Sequence, residues 1–208
     1  MFEKIIATRK VKLFLISLII GMCFTSAMQV YSRNIVEGIS NGVVRLHIVA
    51  NSNSADDQSL KLKVRDEITT VIKPMVEDAK TPEETKIIIL DNIEMIEEEA
   101  QKIIKKYGYT YSVTASLDKF DFPAKKYGNA QFPKGKYDAL KIVIENGKGN
   151  NWWCVLYPSL CFTENSDGVL PKESEEKLKA NLSQEEYEVV TSKSKINFKF
   201  KIVELFSF

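Results

Sequence analysis

Hydrophobic and polar residues alternate along several stretches of this chain with the period of a β-strand. In residues 43–50, apolar side chains alternate with Arg45, His47 and Val49, so that one predicted face is apolar and the other carries the charge. Comparable stretches predict further strands over 109–117, over 137–145 and from Asn151 onward. The central strand of the sheet is predicted to be 43–50 or 140–145.

Two stretches with helical periodicity lie between the first and second strands. Apolar residues recur every three or four positions after Ser54 and again after the T-P-E-E sequence at 81–84. Ser54 and the T-P-E-E sequence are both helix-capping patterns. Pro74, near the end of the first helix, is predicted to stop or kink it, and Gly108 marks the predicted end of the second.

The order of these elements is strand, helix, helix, then three strands, which is typical of an α+β fold. We therefore predict two helices packed on a mainly antiparallel sheet, preceded by an N-terminal signal or anchor helix. An irregular connection is predicted over 122–133, short helices over 172–180 and 183–190, and a terminal strand over 196–202.

The N-terminus has the layout of a secretory signal. Four basic residues precede an apolar run from Leu13 to Met28, which ends in the small residues Thr-Ser-Ala at 25–27. An uncleaved anchor with its basic end in the cytoplasm is the alternative. Both the signal and the anchor predict that the remaining chain works outside the cytoplasm. The predicted parts are a signal or anchor over 1–28, a lead-in over 29–42, an α+β domain over 43–166 and its C-terminal extension over 167–208.

Charge and motif content exclude several classes of function. Lys plus Arg is 29 and Asp plus Glu is 28, which leaves a net charge of +1 and no electrostatic footprint for nucleic acid. The sequence contains no glycine-rich phosphate loop, no H-E-x-x-H and no G-x-S-x-G. One histidine and two exported cysteines do not supply a four-ligand zinc site. No cofactor, metal site or nucleic-acid partner is therefore predicted.

Cys154 and Cys161 are the two cysteines of the predicted exported part. An exported location permits a disulfide between them, provided that the chain turns back at Pro158. Two buried thiols are an equal alternative. A free Cys154 would also allow an exported hydrolase acting on cell wall or peptide, with Cys154 as nucleophile and His47 as base.

The most unusual stretch of the sequence is N-W-W-C-V-L-Y-P-S-L-C-F at 151–162. It contains both tryptophans of the protein, Trp152 and Trp153, next to each other. Adjacent side chains of a strand point to opposite faces of the sheet. If helices cover only one face, the other tryptophan is exposed and is a candidate interface anchor.

Four segments together resemble the stage II sporulation protein R family. They are R-L-H-I-V-A-N-S-N-S at 45–54, D-Q-S-L-K-L-K-V-R-D at 57–66, F-P-K-G-K-Y-D-A-L-K-I-V-I at 132–144 and the tryptophan segment at 151–162. The resemblance covers 43–162 and the N-terminal signal. It implies a signalling protein, not an enzyme, that the forespore exports into the space between the forespore and mother-cell membranes. There it would trigger a membrane-embedded aspartic protease that processes pro-sigma-E.

On this reading we expect a contact surface for the protease around the first strand and the tryptophans. The predicted contact residues are Arg45, His47, Asn51, Asn53, Arg65, Trp152 and Trp153. Arg45, His47 and one of the two tryptophans would share an exposed face, with Asn51, Asn53 and Arg65 at its edge. The alternative is that these residues only build the fold.

Overall fold

A mixed four-stranded sheet lies at the centre of the fold. The computed structural model describes residues 2–161 and 170–191, with side chains from Arg9 onward. The elements are α1 (Phe2–Asn41), β1 (Val44–Val49), α2 (Ala55–Val76), α3 (Pro82–Asp91), α4 (Ile93–Lys106), β2 (Val113–Phe122), β3 (Lys125–Tyr127), β4 (Ala130–Phe132), β5 (Gly135–Ile144), β6 (Asn151–Tyr157), α5 (Lys172–Asn181) and α6 (Gln184–Thr191).

The strand order is β2-β5-β1-β6. β1 runs parallel to β5, whereas the β1–β6 and β2–β5 pairs are antiparallel. The predicted α+β class with an antiparallel-rich sheet is therefore confirmed. Both candidates for the central strand lie inside the sheet, as β1 and β5, and among the described strands β6 forms one edge.

The first face of the sheet packs against α2, α3 and α4. Leu46 and Ile48 of β1 join the apolar residues of these helices in one buried cluster. The predicted caps are present, because Ser54 accepts from the amide of Asp57 and Thr81 accepts from the amide of Glu84. Capping satisfies amide groups that the first turn of a helix leaves without partners.

The predicted helix from 82 to 108 is two helices that meet at Asn92. The Asn92 side chain donates to the carbonyl of Ile88 at 2.8 Å. Such side-chain bonds compete with the helical backbone pattern, so α3 ends at Asn92 and α4 begins directly after it. Pro74 lies inside the last turn of α2, which continues to Val76, so the helix ends two residues after the proline.

A second layer covers part of the other face of the sheet. It consists of the C-terminal end of α1, the β3–β4 hairpin, α5 and α6. The buried residues of this layer and of the sheet beneath it are Ile39, Val43, Phe122, Ala130, Phe132, Tyr137, Ala139, Val155, Leu160, Leu170, Leu178, Leu182, Tyr187 and Val190. The hairpin lies where the sequence predicted an irregular connection. The predicted short helices are present as α5 and α6.

Helix α1 joins the apolar N-terminal segment directly to the domain. Side chains between Val11 and Tyr31 are largely exposed, and the helix is long and apolar enough to cross a membrane. An apolar helix of this kind is compatible with a signal or an anchor. Its last turns pack on the domain, with Ile39 fully buried and the Tyr31 hydroxyl donating to Glu185 at 3.2 Å. The predicted terminal strand at 196–202 lies outside the described residues.

Candidate partner-binding surface

Trp152 and Trp153 lie at the start of the edge strand β6. As predicted, they point to opposite faces of the sheet. Trp152 packs against the cluster under α2, α3 and α4, and Trp153 packs against the cluster of the second layer. Both are half-buried, so each tryptophan still has apolar surface that a partner can cover.

Trp153 stacks on His47 of the neighbouring strand. The two ring centroids are 3.8 Å apart with an interplanar angle of 20°, and the ring of Phe122 lies 4.6 Å from that of Trp153. Nε2 of His47 donates to Oδ1 of Asn151 at 2.9 Å. Only 6% of His47 is exposed, and this burial lowers the pKa of His47 from 6.5 to about 4. The imidazole is therefore neutral at physiological pH.

Arg45 lies in an aromatic cage beneath Trp153. Its guanidinium carbon is 4.1 Å from the ring centroid of Phe122 and 4.8 Å from that of Tyr137. Nη2 donates to the Tyr127 hydroxyl at 2.9 Å, and this hydroxyl donates to the carbonyl of Trp153 at 3.1 Å. Burial is complete and lowers the pKa of Arg45. The cage thus connects the second layer to the backbone of the tryptophan strand.

The prediction that Arg45 and His47 lie on an exposed face is wrong. The second layer and the aromatic side chains of β2 and β5 bury both residues. Within the described part of the chain, Nε and Nη1 of Arg45 and Nδ1 of His47 have no hydrogen-bond partner. Both residues therefore support the surface from below. No local sequence pattern marks this cage, because Phe122, Tyr127 and Tyr137 lie far from β1 in sequence and reach Arg45 only through the fold.

Arg65 and Trp152 meet on the opposite face of the sheet. The guanidinium carbon of Arg65 lies 4.2 Å from the Trp152 ring centroid, and its Nε donates to Asp66 at 2.6 Å. Nearby, Nζ of Lys61 donates to the carbonyl of Asn150 at 3.1 Å. Helix α2 thus holds one side of the Trp152 ring and fixes the loop that precedes it.

Asn51 and Asn53 join the loop after β1 to the loop before β6. Oδ1 of Asn53 accepts from the amide of Asn150 at 2.7 Å, and Oδ1 of Asn51 accepts from the amide of Asn146 at 3.2 Å. Nδ2 of Asn51 donates to the buried carboxylate of Asp57 at 3.0 Å. A hydrogen bond from Ser52 is the main cause of a pKa of Asp57 below its usual range. These asparagines set the position of the tryptophan strand.

Exposed and half-buried residues around the start of β6 make up the surface at this end of the sheet. We call it the tryptophan rim, and define it as Asn53, Arg65, Asn151, Trp152 and Trp153. Asn151 was not among the predicted contact residues, although it is exposed and bonded to His47. The structure therefore brings the predicted tryptophans, Arg65 and Asn53 together at the surface and leaves Arg45 and His47 below it.

Cys154 and Cys161 form a disulfide, so the first of the two alternatives, a disulfide and not two buried thiols, is present in the structure. The chain turns back after Tyr157, and the amides of Leu160 and Cys161 both donate to the carbonyl of Val155. Cys154 faces the cluster under α2, α3 and α4, whereas His47 packs with Trp153 on the other face. The two side chains do not meet, and the nucleophile–base pair of the hydrolase alternative is not formed.

The described side chains contain no group of acidic, histidine and cysteine residues that could hold a metal.

Comparison with known sequences points to sporulation proteins. A family described as "Stage II sporulation protein R (spore_II_R)" matches residues 40–167. Stage II sporulation protein R of Bacillus subtilis (strain 168) is 41% identical over 139 residues, which cover 67% of this chain and 62% of the relative. The matched region includes the tryptophan rim and both loops that position it. No solved structure matches the chain.

Proposed function

We propose that this chain, which belongs to the stage II sporulation protein R family, acts as an exported signal in endospore formation. Family membership gives the sporulation-related function. The proposal adds that the protein lies in the space between the forespore and mother-cell membranes, where it is either secreted or held by α1. There it binds and triggers a membrane-embedded aspartic protease that processes pro-sigma-E.

The tryptophan rim is the observation that carries the proposal. Tryptophan and arginine are the residue types that most often dominate protein interfaces, and the rim combines two tryptophans with Arg65. The half-buried rings of Trp152 and Trp153 are adjacent in sequence but face different sides of the sheet end. A partner that closes around this end would bury both rings at once.

The residues beneath the rim give it a fixed shape before binding. His47 stacks under Trp153, Arg65 lies over Trp152, and the disulfide fixes the turn after β6. A pre-organised surface loses little conformational entropy when it binds, so more of the contact energy appears as affinity.

A signal must bind two states of its receptor with different affinity. The rim therefore has to bind the active state of the protease more tightly than the inactive state, since equal affinity for both would shift nothing. A hundredfold preference corresponds to about 2.7 kcal/mol, which a few well-buried side chains can supply. On this proposal, loss of one rim anchor lowers both binding and activation.

Substitutions at the rim test the proposal. Trp152→Ala and Arg65→Ala should each weaken binding to the protease by about 2 kcal/mol, or roughly thirtyfold, and lower pro-sigma-E cleavage in co-expressing cells. Ile87→Ala is the matched control, because Ile87 is an apolar residue of α3 that is 55% exposed and lies outside the rim. Thermal unfolding of every variant separates binding from folding. If rim variants lose activity only as far as they lose stability, or if Ile87→Ala loses as much, the contact surface is not the rim.

A further inference from the structure

Helix α1 brings the domain to the end of its own apolar segment without a flexible connection. The helix is continuous from the exposed apolar side chains to Asn41, and its last turns pack on β5 and α6. Ile39 is fully buried, and Tyr31 bonds to Glu185 of α6. A helix rises by about 1.5 Å per residue, so Ser32 to Ser40 span roughly 12 Å from the end of the apolar segment.

A groove of about 390 Å³ lies along this part of α1. It is open between the helix, the end of β2 and the start of β5. Three of its lining residues are cations, Arg33, Lys119 and Lys136, whereas Glu37 is its single carboxylate. Ser32 and Ser40 also line it, and the Ser40 hydroxyl donates to the carbonyl of Glu37 at 2.9 Å.

The three cations of the groove are not neutralised by ion pairs. Among the residues that the structure describes, no carboxylate lies within 4 Å of the charged nitrogens of Arg33, Lys119 or Lys136. Nζ of Lys119 reaches only the amide oxygen of Asn41, at 3.4 Å. A groove with an excess of unpaired cations is suited to a phosphate group.

We propose that this juxtamembrane groove binds the phosphate of an anionic phospholipid headgroup. The position of the groove selects a lipid over free phosphate, because it directly follows a helical segment that is long and apolar enough to cross a membrane. The groove begins at Ser32, after the small residues at 25–27, so it stays with the domain whether or not the apolar segment is removed. Binding would hold the domain at the surface of the membrane and present it in one orientation. This inference does not depend on the identity of the receptor.

The size of the effect follows from the charge of the groove. One Lys or Arg close to an anionic lipid surface changes binding by about fivefold. Loss of all three cations should therefore lower the affinity by about a hundredfold and remove the preference for anionic lipid. The affinity of the wild type for anionic lipid should also weaken as the salt concentration is raised, because the groove is open to solvent.

Native mass spectrometry of the detergent-solubilised full chain tests whether the groove binds anionic lipid. Phosphatidylglycerol or phosphatidylcholine would be titrated into the wild type, into an Arg33→Gln, Lys119→Gln, Lys136→Gln variant, and into a control variant. The control is Lys63→Gln, Lys105→Gln, Lys172→Gln, which removes three exposed lysines outside the groove. Inorganic phosphate would be added as a competitor.

The proposal expects the wild type and the control to bind phosphatidylglycerol at least tenfold more tightly than phosphatidylcholine. The groove variant should bind both lipids alike. Equal binding of the two lipids by the wild type would overturn the proposal, and this comparison needs no variant. An unchanged preference in the folded groove variant would also overturn it, as would displacement of phosphatidylglycerol by an equimolar amount of inorganic phosphate.

Discussion

Lowering the pH from 7.5 to 5 should destabilise the folded protein through His47, its only histidine. Burial lowers the pKa of His47 to about 4 in the folded state, against an ordinary value of 6.5 in the unfolded chain. The unfolded state therefore takes up a proton as the pH falls through 6.5, while the folded state does not. Stability is fully present above pH 6.5 and is lost progressively down to pH 4.

The magnitude follows from the two pKa values. Between pH 7.5 and pH 5 the free energy of unfolding should fall by roughly 2 kcal/mol, and the loss should reach about 3 kcal/mol once both states are protonated. His47 is only 6% exposed, so solvent screening removes little of this effect. The pH range of the measurement ends at pH 5 because the pKa of Asp57 is lowered in the folded state. Protonation of Asp57 at more acidic pH adds a further loss of stability to that from His47.

Urea unfolding of the detergent-solubilised full chain at pH 7.5, 6.5 and 5 measures this loss, with the two tryptophans as fluorescent probes. His47→Gln is the matched variant, because a glutamine amide can still donate to Asn151 but does not titrate. The variant should be less stable at pH 7.5, since it loses the stack on Trp153, yet its stability should stay constant down to pH 5. A flat wild type, or a His47→Gln variant with the same pH dependence, would refute a buried neutral histidine.

Three further predictions concern the groups that hold the rim in place, each measured as the free energy of unfolding. Arg45→Ala should cost about 3 kcal/mol and Arg45→Met less than half of that, because packing of the side chain within the aromatic cage contributes more than its charge. Equal losses in the two variants would contradict the dominance of packing. Replacing Cys154 and Cys161 together by alanine should cost about 2 kcal/mol, as a disulfide with a sequence separation of 7 closes a short loop; an unchanged stability under oxidising conditions would show that the bridge does not constrain the unfolded chain. Asp57→Ala should cost about 2 kcal/mol by leaving Asn51 and Ser52 without their acceptor, whereas the exposed Ser59→Ala should change little; equal effects of both would contradict the role of Asp57.

Local patterns predicted the elements on the helix side of the sheet. Ser54 and Thr81 cap α2 and α3 as expected, because capping depends on residues within one helical turn. The alternation in 43–50 predicted β1, and the adjacency of Trp152 and Trp153 predicted their opposite faces. The break at Asn92 was missed, since the apolar spacing continues through it.

The second layer could not be read from local patterns. Arg45 and His47 alternate with apolar residues, which is typical of a solvent-facing side of a strand. Arg45 is covered by Phe122 and Tyr137, and His47 by Phe122 and Trp153. These rings lie far away in sequence and meet β1 only through the strand order of the sheet. Aromatic rings accept a buried guanidinium without a carboxylate, so charge alone was a misleading sign of exposure.

The most direct test of the proposed function is reconstitution in a host that does not sporulate. The exported chain would be co-expressed with the candidate membrane protease and pro-sigma-E, and removal of the pro-sequence would be followed by gel. The wild type and a folded Cys154→Ser variant should both cause cleavage, in proportion to their stability, because a ligand of the proposed kind uses no reactive thiol. Absence of cleavage with a matched receptor and confirmed export would contradict the proposal, as would cleavage that depends on Cys154 in a fully folded variant.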